Sequence, residues 1–182
     1  MRQTRSLKDE TLILDAGGVI MEGLPEDLTR DEESFLFTVR PVPLAYRGVA
    51  QEVKRRFGQR VWIVSKCRRE QAQRNVRAWF EKRGFFDQTG VLREHVEFCD
   101  TNAGKAPIIR RLRGTVVVDD SLEVHLHLPF VRHRILFRPD PEEVGRALRE
   151  FHLAKVPDEI TMVPRGWRNV NQTIAELLSV RH

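Results

Sequence analysis

Five short, mainly apolar runs that alternate with helical segments constrain the fold of this chain more than any other feature. The runs are Leu12–Leu14, Val61–Val64, Val96–Cys99, Thr115–Val118 and Val131–Phe137. Each run has the length of a buried strand and is bounded by polar or turn-forming residues. Strands that alternate with helices at this spacing predict an α/β fold, with a doubly wound, Rossmann-like parallel sheet flanked by helices.

The segments between the runs have apolar residues at helical spacing or begin at residues that favour helix starts. Helices are predicted over about 44–57, 68–82 and 106–112, from Ser121, from Pro141 to about His152, and over 170–178. Met21–Arg40 is expected to be a long loop or small hairpin that covers a site at the end of the first strand. Residues 1–182 are expected to form one domain, with a core over about 11–153 and a tail over 154–182 that packs on the core.

The charge balance points only weakly to anionic ligands. The net charge is +5, with 26 acidic residues interspersed among 31 basic ones. Such a surface attracts phosphate esters, nucleotides and nucleic acid alike, so nucleic acid is weakly supported as a partner. No apolar run reaches the roughly 20 residues that span a bilayer, and no membrane association is expected. Cys67 and Cys99 form no disulfide framework, which is typical of a reducing cytoplasm.

The first apolar run ends in Asp15, and Gly17 and Gly18 follow it. A run of this kind is typical of a strand buried at the centre of a parallel sheet. Ligands of such sheets bind beyond the carboxyl ends of the strands, which is where Asp15 would stand. Taken alone, the pattern favours a solvated aspartate in a glycine turn, so its interpretation depends on the rest of the chain.

Polar side chains stand at the ends of three further elements. Ser65 follows the second run, Lys105 stands near the start of a helix after the third, and Asp119 and Asp120 follow the fourth. Because the carboxyl ends of parallel strands share one edge, these groups are expected to meet Asp15 in one crevice. Carboxylates with backbone carbonyls bind a hard cation such as Mg²⁺, and a lysine with a hydroxyl binds phosphate. A carboxylate that stays free can attack phosphorus as a nucleophile.

Four motifs in this order resemble those of the haloacid dehalogenase superfamily, whose members are mostly Mg²⁺-dependent phosphohydrolases. They are Asp15-Ala16-Gly17-Gly18-Val19, Ile63-Val64-Ser65, Lys105 near a helix start, and Val117-Val118-Asp119-Asp120. Each motif alone is common, whereas the four together cover roughly residues 11–137 in the expected order. The resemblance implies hydrolysis of a phosphorylated small molecule through an aspartyl-phosphate intermediate.

The resemblance also implies a role for each matched residue. The metal ligands would be Asp15, the backbone carbonyl of Gly17, Asp119 and Asp120, and the phosphate-binding residues would be Ser65 and Lys105. Asp15 would also be the nucleophile, which makes it and Lys105 the catalytic pair. Neighbouring strand residues point to opposite faces, so Asp120, already in the turn, is the better candidate for direct ligation.

Position 17 departs from the superfamily's first motif, in which a second aspartate usually protonates the leaving group. Gly17 has no proton to give, although some branches of the superfamily carry Gly-Gly at this place. Another group or water would then supply the proton, or the chain would be a catalytically weak or inactive binding or regulatory protein. The short segment before the first helix implies a nearly capless form, whose open crevice suits larger substrates such as nucleic-acid ends.

Other catalytic signals in the chain are weaker. His125 and His127 form a His-x-His pair that is expected at the surface or an interface, because no third metal ligand stands nearby. A cysteine-dependent phosphatase needs an arginine six positions after the cysteine, where this chain has Gln73 and Lys105. The oligomeric state is not readable from these patterns.

Overall fold

The computed structural model describes residues 10–22 and 31–179. In chain order the elements are β1 (Leu12–Leu14), β2 (Met21–Glu22), α1 (Glu32–Thr38), β3 (Arg40–Pro41), α2 (Ala45–Glu52) with a π-helical extension (Val53–Phe57), β4 (Val61–Lys66), α3 (Glu70–Lys82), α4 (Phe85–Thr89), β5 (Val96–Cys99), α5 (Lys105–Arg111), β6 (Val116–Asp119), α6 (Leu122–Leu126), β7 (His133–Phe137), α7 (Pro141–Glu150), β8 (Ile160–Val163) and α8 (Trp167–Ser179). No helix in the described ranges is both long and apolar enough to cross a membrane.

Six of the strands form one parallel sheet in the order β5-β4-β1-β6-β7-β8. β4 lies beside β1, and β5 lies beside β4 at one edge of the sheet. The chain then crosses to the other side of β1, where β6, β7 and β8 follow in this order. Leu14 of β1 is therefore paired with Ile63 on one side and Val118 on the other. The strand order reverses between β1 and β6, and the crevice at such a reversal is where parallel sheets bind ligands.

Helices cover both faces of the sheet, because successive strand residues point to opposite sides. Leu12 and Leu14 belong to the larger apolar core, to which α2, α3 and α8 contribute. Ile13 belongs to a second core, to which α5 and α6 contribute, and α7 packs on the same side against β7. This two-sided packing is the doubly wound arrangement that the alternation of strands and helices predicts.

The structure differs from the sequence-based expectation at β8 and around α1, and it contains one further helix that was not predicted, α4. Val131–Phe137 is not the last strand, since β8 follows it and pairs with β7 from Arg134↔Ile160 to Phe137↔Val163. β8 has four residues, and Met162 on it is 54% exposed, so the segment lacks the apolar pattern of a central strand. Met21–Arg40 was expected to be a long loop or small hairpin, and residues 23–30 of it lie outside the described part of the chain. In the described part, β2 pairs with β3, and α1 precedes β3.

Candidate active site at the carboxyl edge of the sheet

A cleft of about 460 Å³ lies at the carboxyl edge of the sheet, where β1 and β6 end side by side. The residues predicted for the site, Asp15, Gly17, Ser65, Lys105, Asp119 and Asp120, all line it. Asp15 follows β1, Asp119 is the last residue of β6, and Lys105 is the first residue of α5. The parallel topology thus brings together side chains that stand far apart in the sequence.

Lys105 lies between two of the carboxylates. Its Nζ donates a 2.7 Å hydrogen bond to Asp119 Oδ2 and lies 2.9 Å from Asp15 Oδ1. The side chains of Lys105 and Asp119 are each 3% exposed. Burial alone would lower the pKa of Lys105, but the Asp119 and Asp15 carboxylates outweigh burial and raise this pKa above its ordinary value. Lys105 therefore stays a cation and holds the two carboxylates together.

Both oxygens of the Asp119 carboxylate accept hydrogen bonds. Oδ2 accepts the hydrogen bond from Lys105, and Oδ1 accepts one of 3.0 Å from the backbone N–H of Ser121. Because both oxygens already accept hydrogen bonds, Asp119 has less capacity left for a further ligand than Asp15 or Asp120. This difference favours Asp120 over Asp119 for direct contact with a cation.

The expected surface position of His125 is wrong. Its ring is fully buried, and burial lowers its pKa to about 4. The ring is therefore neutral at pH 7, and its Nε2 donates a 3.2 Å hydrogen bond to the backbone carbonyl of Asp119. α6 places Leu122 and His125 on its inner face, three residues apart, and a neutral imidazole with a carbonyl partner is tolerated there. His127, by contrast, keeps a 32% exposed side chain.

Gly18 allows the close approach of Asp120 to the first loop. A Cβ at position 18 would lie 1.8 Å from Asp120 Oδ2, and Gly18 has a φ of 68°, in the left-handed region that glycine adopts readily. The contact brings Asp120 to the other two carboxylates. Ligand oxygens of Asp15, Asp119 and Asp120 all lie within 4.8 Å of one another.

The three carboxylates have one ammonium among them and so carry surplus negative charge. Burial raises the pKa of Asp15 to about 6, with Lys105 opposing the rise and Asp119 adding to it. Burial, Asp15 and Asp119 raise the pKa of Asp120 to about 8. Asp15 Oδ1 is buried and lies 2.9 Å from Lys105 Nζ as an ion pair, and no hydrogen bond to this oxygen occurs among the described residues. A divalent cation fits this group, since it would neutralise the surplus charge and use the free oxygen.

Gly17 and Ser65 border the same cleft with different surroundings. Apart from Gly17 and its two chain neighbours, no described residue has an atom within 4 Å of a Cβ built at Gly17, so a side chain there would enter open space. Ser65 is 6% exposed, and its Oγ lies 4.0 Å from Cys67 Sγ. Burial raises the pKa of Cys67 to about 11, so this thiol stays neutral beside the serine.

Sequence analysis missed part of the cleft. The additional polar lining residues are Lys66, Asn102, Ser121, Glu123, Asp140, Glu143, Arg146 and Glu150. Glu143 accepts a 3.0 Å hydrogen bond from Ser121 Oγ and so joins α7 to the start of α6. Asp140 caps α7 by accepting from the N–H of Glu142. The sequence did contain a signal for Asp140. It follows β7 closely, and residues just after a parallel strand lie at the carboxyl edge of the sheet, where the cleft is.

Comparison with known proteins shows a similarity of fold. No family model and no curated protein matches the chain. A solved structure from Burkholderia xenovorans LB400, described provisionally as a haloacid dehalogenase-like hydrolase, superposes with a TM-score of 0.61 over 95% of this chain and 100% of that chain. The sequence identity is 13%, so the similarity is one of fold. It confirms the predicted fold class, a haloacid dehalogenase-like α/β fold.

Proposed function

We propose that the chain is a Mg²⁺-dependent phosphohydrolase of the haloacid dehalogenase superfamily, in a nearly capless form, that acts on a phosphorylated small molecule in the cytoplasm. The observation that carries the proposal is the buried ammonium of Lys105 between the carboxylates of Asp15 and Asp119, with Asp120 beside them. This group stands where the strand order reverses. The insertion between β1 and α2 is short, and its described part contains the two-stranded pair of β2 and β3 and the helix α1, which supports the nearly capless form.

In this proposal Asp15, Asp120 and the carbonyl of Gly17 hold Mg²⁺, and Asp119 completes the site. Bound Mg²⁺ would supply positive charge that stabilises the phosphoryl oxygens during transfer. Lys105 and Ser65 bind the substrate phosphate. An ammonium has three donors. Lys105 uses one of them in its hydrogen bond to Asp119 and is ion-paired with Asp15, and donor capacity remains for a phosphate oxygen.

The proposed reaction has two steps, both on Asp15. A carboxylate oxygen of Asp15 attacks phosphorus, and the bond from phosphorus to the leaving oxygen breaks. The leaving group keeps the electron pair and takes a proton from water. A second water then hydrolyses the acyl phosphate, which releases inorganic phosphate and restores Asp15. With a pKa of about 6, Asp15 is mostly ionised at neutral pH, as a nucleophile must be.

A binding or regulatory protein without turnover is the second candidate. It is favoured by Gly17, because the loop after β1 holds no acid that can protonate a leaving group. The two candidates are separated by measuring phosphate release from a panel of phosphate esters, including a 5′-phosphorylated oligonucleotide, with Mg²⁺ and with EDTA. Turnover that requires Mg²⁺ supports the enzyme, and binding of Mg²⁺ and phosphate ester without turnover supports the second candidate.

Mg²⁺ is expected to raise the melting temperature, and by more at pH 8 than at pH 5.5. The raised pKa values of Asp15 and Asp120 mean that the metal-free fold favours their neutral forms, so their contribution to stability falls as pH rises from about 4 to about 8. Bound Mg²⁺ requires ionised carboxylates as ligands, so it restores the stability that the metal-free protein loses as pH rises. Saturation at about 100 times Kd is worth roughly 2.7 kcal/mol, or about 5–10 °C for a chain of this size.

The measurement is a thermal melt at both pH values with and without Mg²⁺. In Asp120→Asn, Mg²⁺ should no longer raise the melting temperature at pH 8. Without metal, this variant should be at least as stable as the wild type at pH 8, because the amide resembles the neutral acid. Asp140→Asn is the matched control, since this carboxylate lines the cleft outside the cluster and asparagine also caps helices. An unchanged gain in Asp120→Asn would contradict the proposed metal site.

Gly17→Asp is expected to accelerate hydrolysis of alkyl phosphates far more than that of aryl phosphates. Without a positioned acid, the wild type should strongly prefer substrates whose leaving group departs as a stable anion, such as p-nitrophenyl phosphate. General acid catalysis is worth about 100- to 10,000-fold, and the new carboxyl would supply part of it. Position 17 has open space for the side chain.

The test is a leaving-group series on both proteins, with Gly17→Asn as the control that adds the same volume without an acid. A flat series in the wild type would show that another residue already donates the proton.

A further inference from the structure

A second groove, of about 450 Å³, lies between α2 with its π-helical extension and α8. Four of its lining residues are arginines, Arg47, Arg55, Arg56 and Arg168, and none of the described lining residues is acidic. The candidate active-site cleft has the opposite character, because most of its charged lining residues are aspartates and glutamates. The two cavities therefore suit ligands of different charge.

Three of these arginines have no ion-pair or hydrogen-bond partner among the described residues. Arg56 donates to both oxygens of the buried Glu52 at 2.7 Å, so the Glu52 carboxylate neutralises the charge of this arginine. Arg47, Arg55 and Arg168 are exposed, and no ion pair or hydrogen bond to them occurs within residues 10–22 and 31–179. Three unpaired cations around one groove repel one another, and a bound anion would remove this repulsion.

The floor of the groove is rigid. A Cβ at Gly48 would lie 2.4 Å from Trp167 Cε3, so α2 and α8 are in close contact there. Trp167 is fully buried, and its Nε1 donates a 2.8 Å hydrogen bond to the carbonyl of Val19. Asn171 of α8 donates to the carbonyl of Gly48 at 3.0 Å. The arginines are thus carried by two helices whose relative position is fixed.

The arginines are spaced for more than one anionic group. Arg47 and Arg55 are eight residues apart, which is about 12 Å along a helix, and Gln51 lies between them in the lining. Arg168 and Gln172 line the groove from α8. Guanidinium forks match phosphate oxygens in bidentate pairs. The amide of Gln51 and the second N–H of Gln172, whose first N–H donates to Glu176 Oε1 at 2.8 Å, add neutral donors.

We propose that this groove binds a small molecule that carries two or more phosphate groups, such as inorganic polyphosphate or a nucleoside triphosphate. The volume falls in the range of small-molecule sites. Among the described lining residues no aromatic ring is exposed for a base to stack on, since Trp167 is buried. Recognition is therefore of the phosphates and not of a base. The site is separate from the cleft and does not depend on the activity proposed there.

The test is calorimetric titration of the full chain with inorganic tripolyphosphate in EDTA at low salt. Without metal, the carboxylates of the cleft repel this probe, so the heat reports the groove. We expect one site per chain, with an affinity that falls as salt rises. The triple variant Arg47→Gln, Arg55→Gln, Arg168→Gln should bind at least about 100-fold more weakly, because three charge-assisted hydrogen-bonding groups are lost.

The matched control is Arg68→Gln, Lys82→Gln, Arg149→Gln, which removes the same charge from exposed positions outside the groove. It should bind as the wild type does, and an equal loss in both triple variants would overturn the proposal as general electrostatic attraction. ATP should bind about as well as tripolyphosphate, and adenosine should not bind.

Three further outcomes would also overturn the assignment. Monophosphate binding as tightly as tripolyphosphate would remove the requirement for several phosphates. Tighter binding in Asp15→Asn would place the probe in the cleft, because this variant removes a carboxylate that repels it there. A single-stranded oligonucleotide that bound increasingly tightly with length would make the groove a nucleic-acid site. Unchanged melting temperatures of the triple variants verify that all comparisons are made on folded protein.

Discussion

Replacing Asp15 by asparagine is expected to lower turnover by at least about 1,000-fold while the protein stays folded. An amide is a poor nucleophile and a weaker metal ligand than a carboxylate, so the attack on phosphorus and the binding of Mg²⁺ are lost together. The fold should tolerate the change, because Lys105 keeps its 2.7 Å hydrogen bond to Asp119. Removing one of three mutually repelling carboxylates also relieves the surplus negative charge.

The measurement is kcat on the best substrate of the phosphate ester panel, together with a thermal melt in EDTA. Asp140→Asn makes the same chemical change at another carboxylate of the cleft and should keep turnover within a few-fold. Retention of a tenth or more of the activity in Asp15→Asn would mean that the nucleophile lies elsewhere.

Lys105→Met is expected to reduce the free energy of unfolding by about 3–5 kcal/mol at pH 8, because it leaves buried carboxylates without their cation. Methionine has a similar length, so the change removes charge and not volume. The loss should be smaller at pH 5.5. The raised pKa values of Asp15 and Asp120 allow these groups to take up protons there, and neutral acids need no counter-charge. Turnover should also fall, because the ammonium that we propose to bind the substrate phosphate is lost.

Chemical denaturation at the two pH values measures this effect. Lys66→Met is the matched control, because Lys66 lines the same cleft but is exposed. It should change stability by no more than about 0.5 kcal/mol at either pH. Similar losses in the two variants, or a loss in Lys105→Met that does not depend on pH, would contradict the role assigned to the buried ion pairs.

Much of this architecture is readable from local patterns. The buried strands are short apolar runs with a clear end, and β6 was recognisable because three valines precede Asp119. Once the strands are taken as parallel, the polar residues that follow Leu14, Val64 and Val118 must share one edge of the sheet. This reasoning predicts Asp15, Ser65, Asp119 and Asp120 as members of the candidate site, although it predicts neither how they pair nor the lining residues that α7 contributes.

Edge elements were harder to predict because tertiary contacts stabilise them more than their own sequence does. β8 has four residues, one largely exposed, and it is a strand because β7 offers it a hydrogen-bonding edge. α1 is similarly short, and its burial of Phe35 and Leu36 depends on packing against α3. Neither element has a periodic pattern long enough to be distinguished from a loop.

The sequence by itself determined the alternation of strands and helices, the carboxylates and lysine at the strand ends, and the glycines of the first turn, because these depend on neighbouring residues. Only the tertiary structure decided that Lys105 lies between Asp15 and Asp119, that His125 is buried under β6, and that Gly18 admits Asp120. The arginine groove likewise exists only where α2 meets α8. Periodicity tells which face of an element is apolar, but the neighbour that covers this face, and hence each distance, burial and pKa shift, follows from packing in three dimensions.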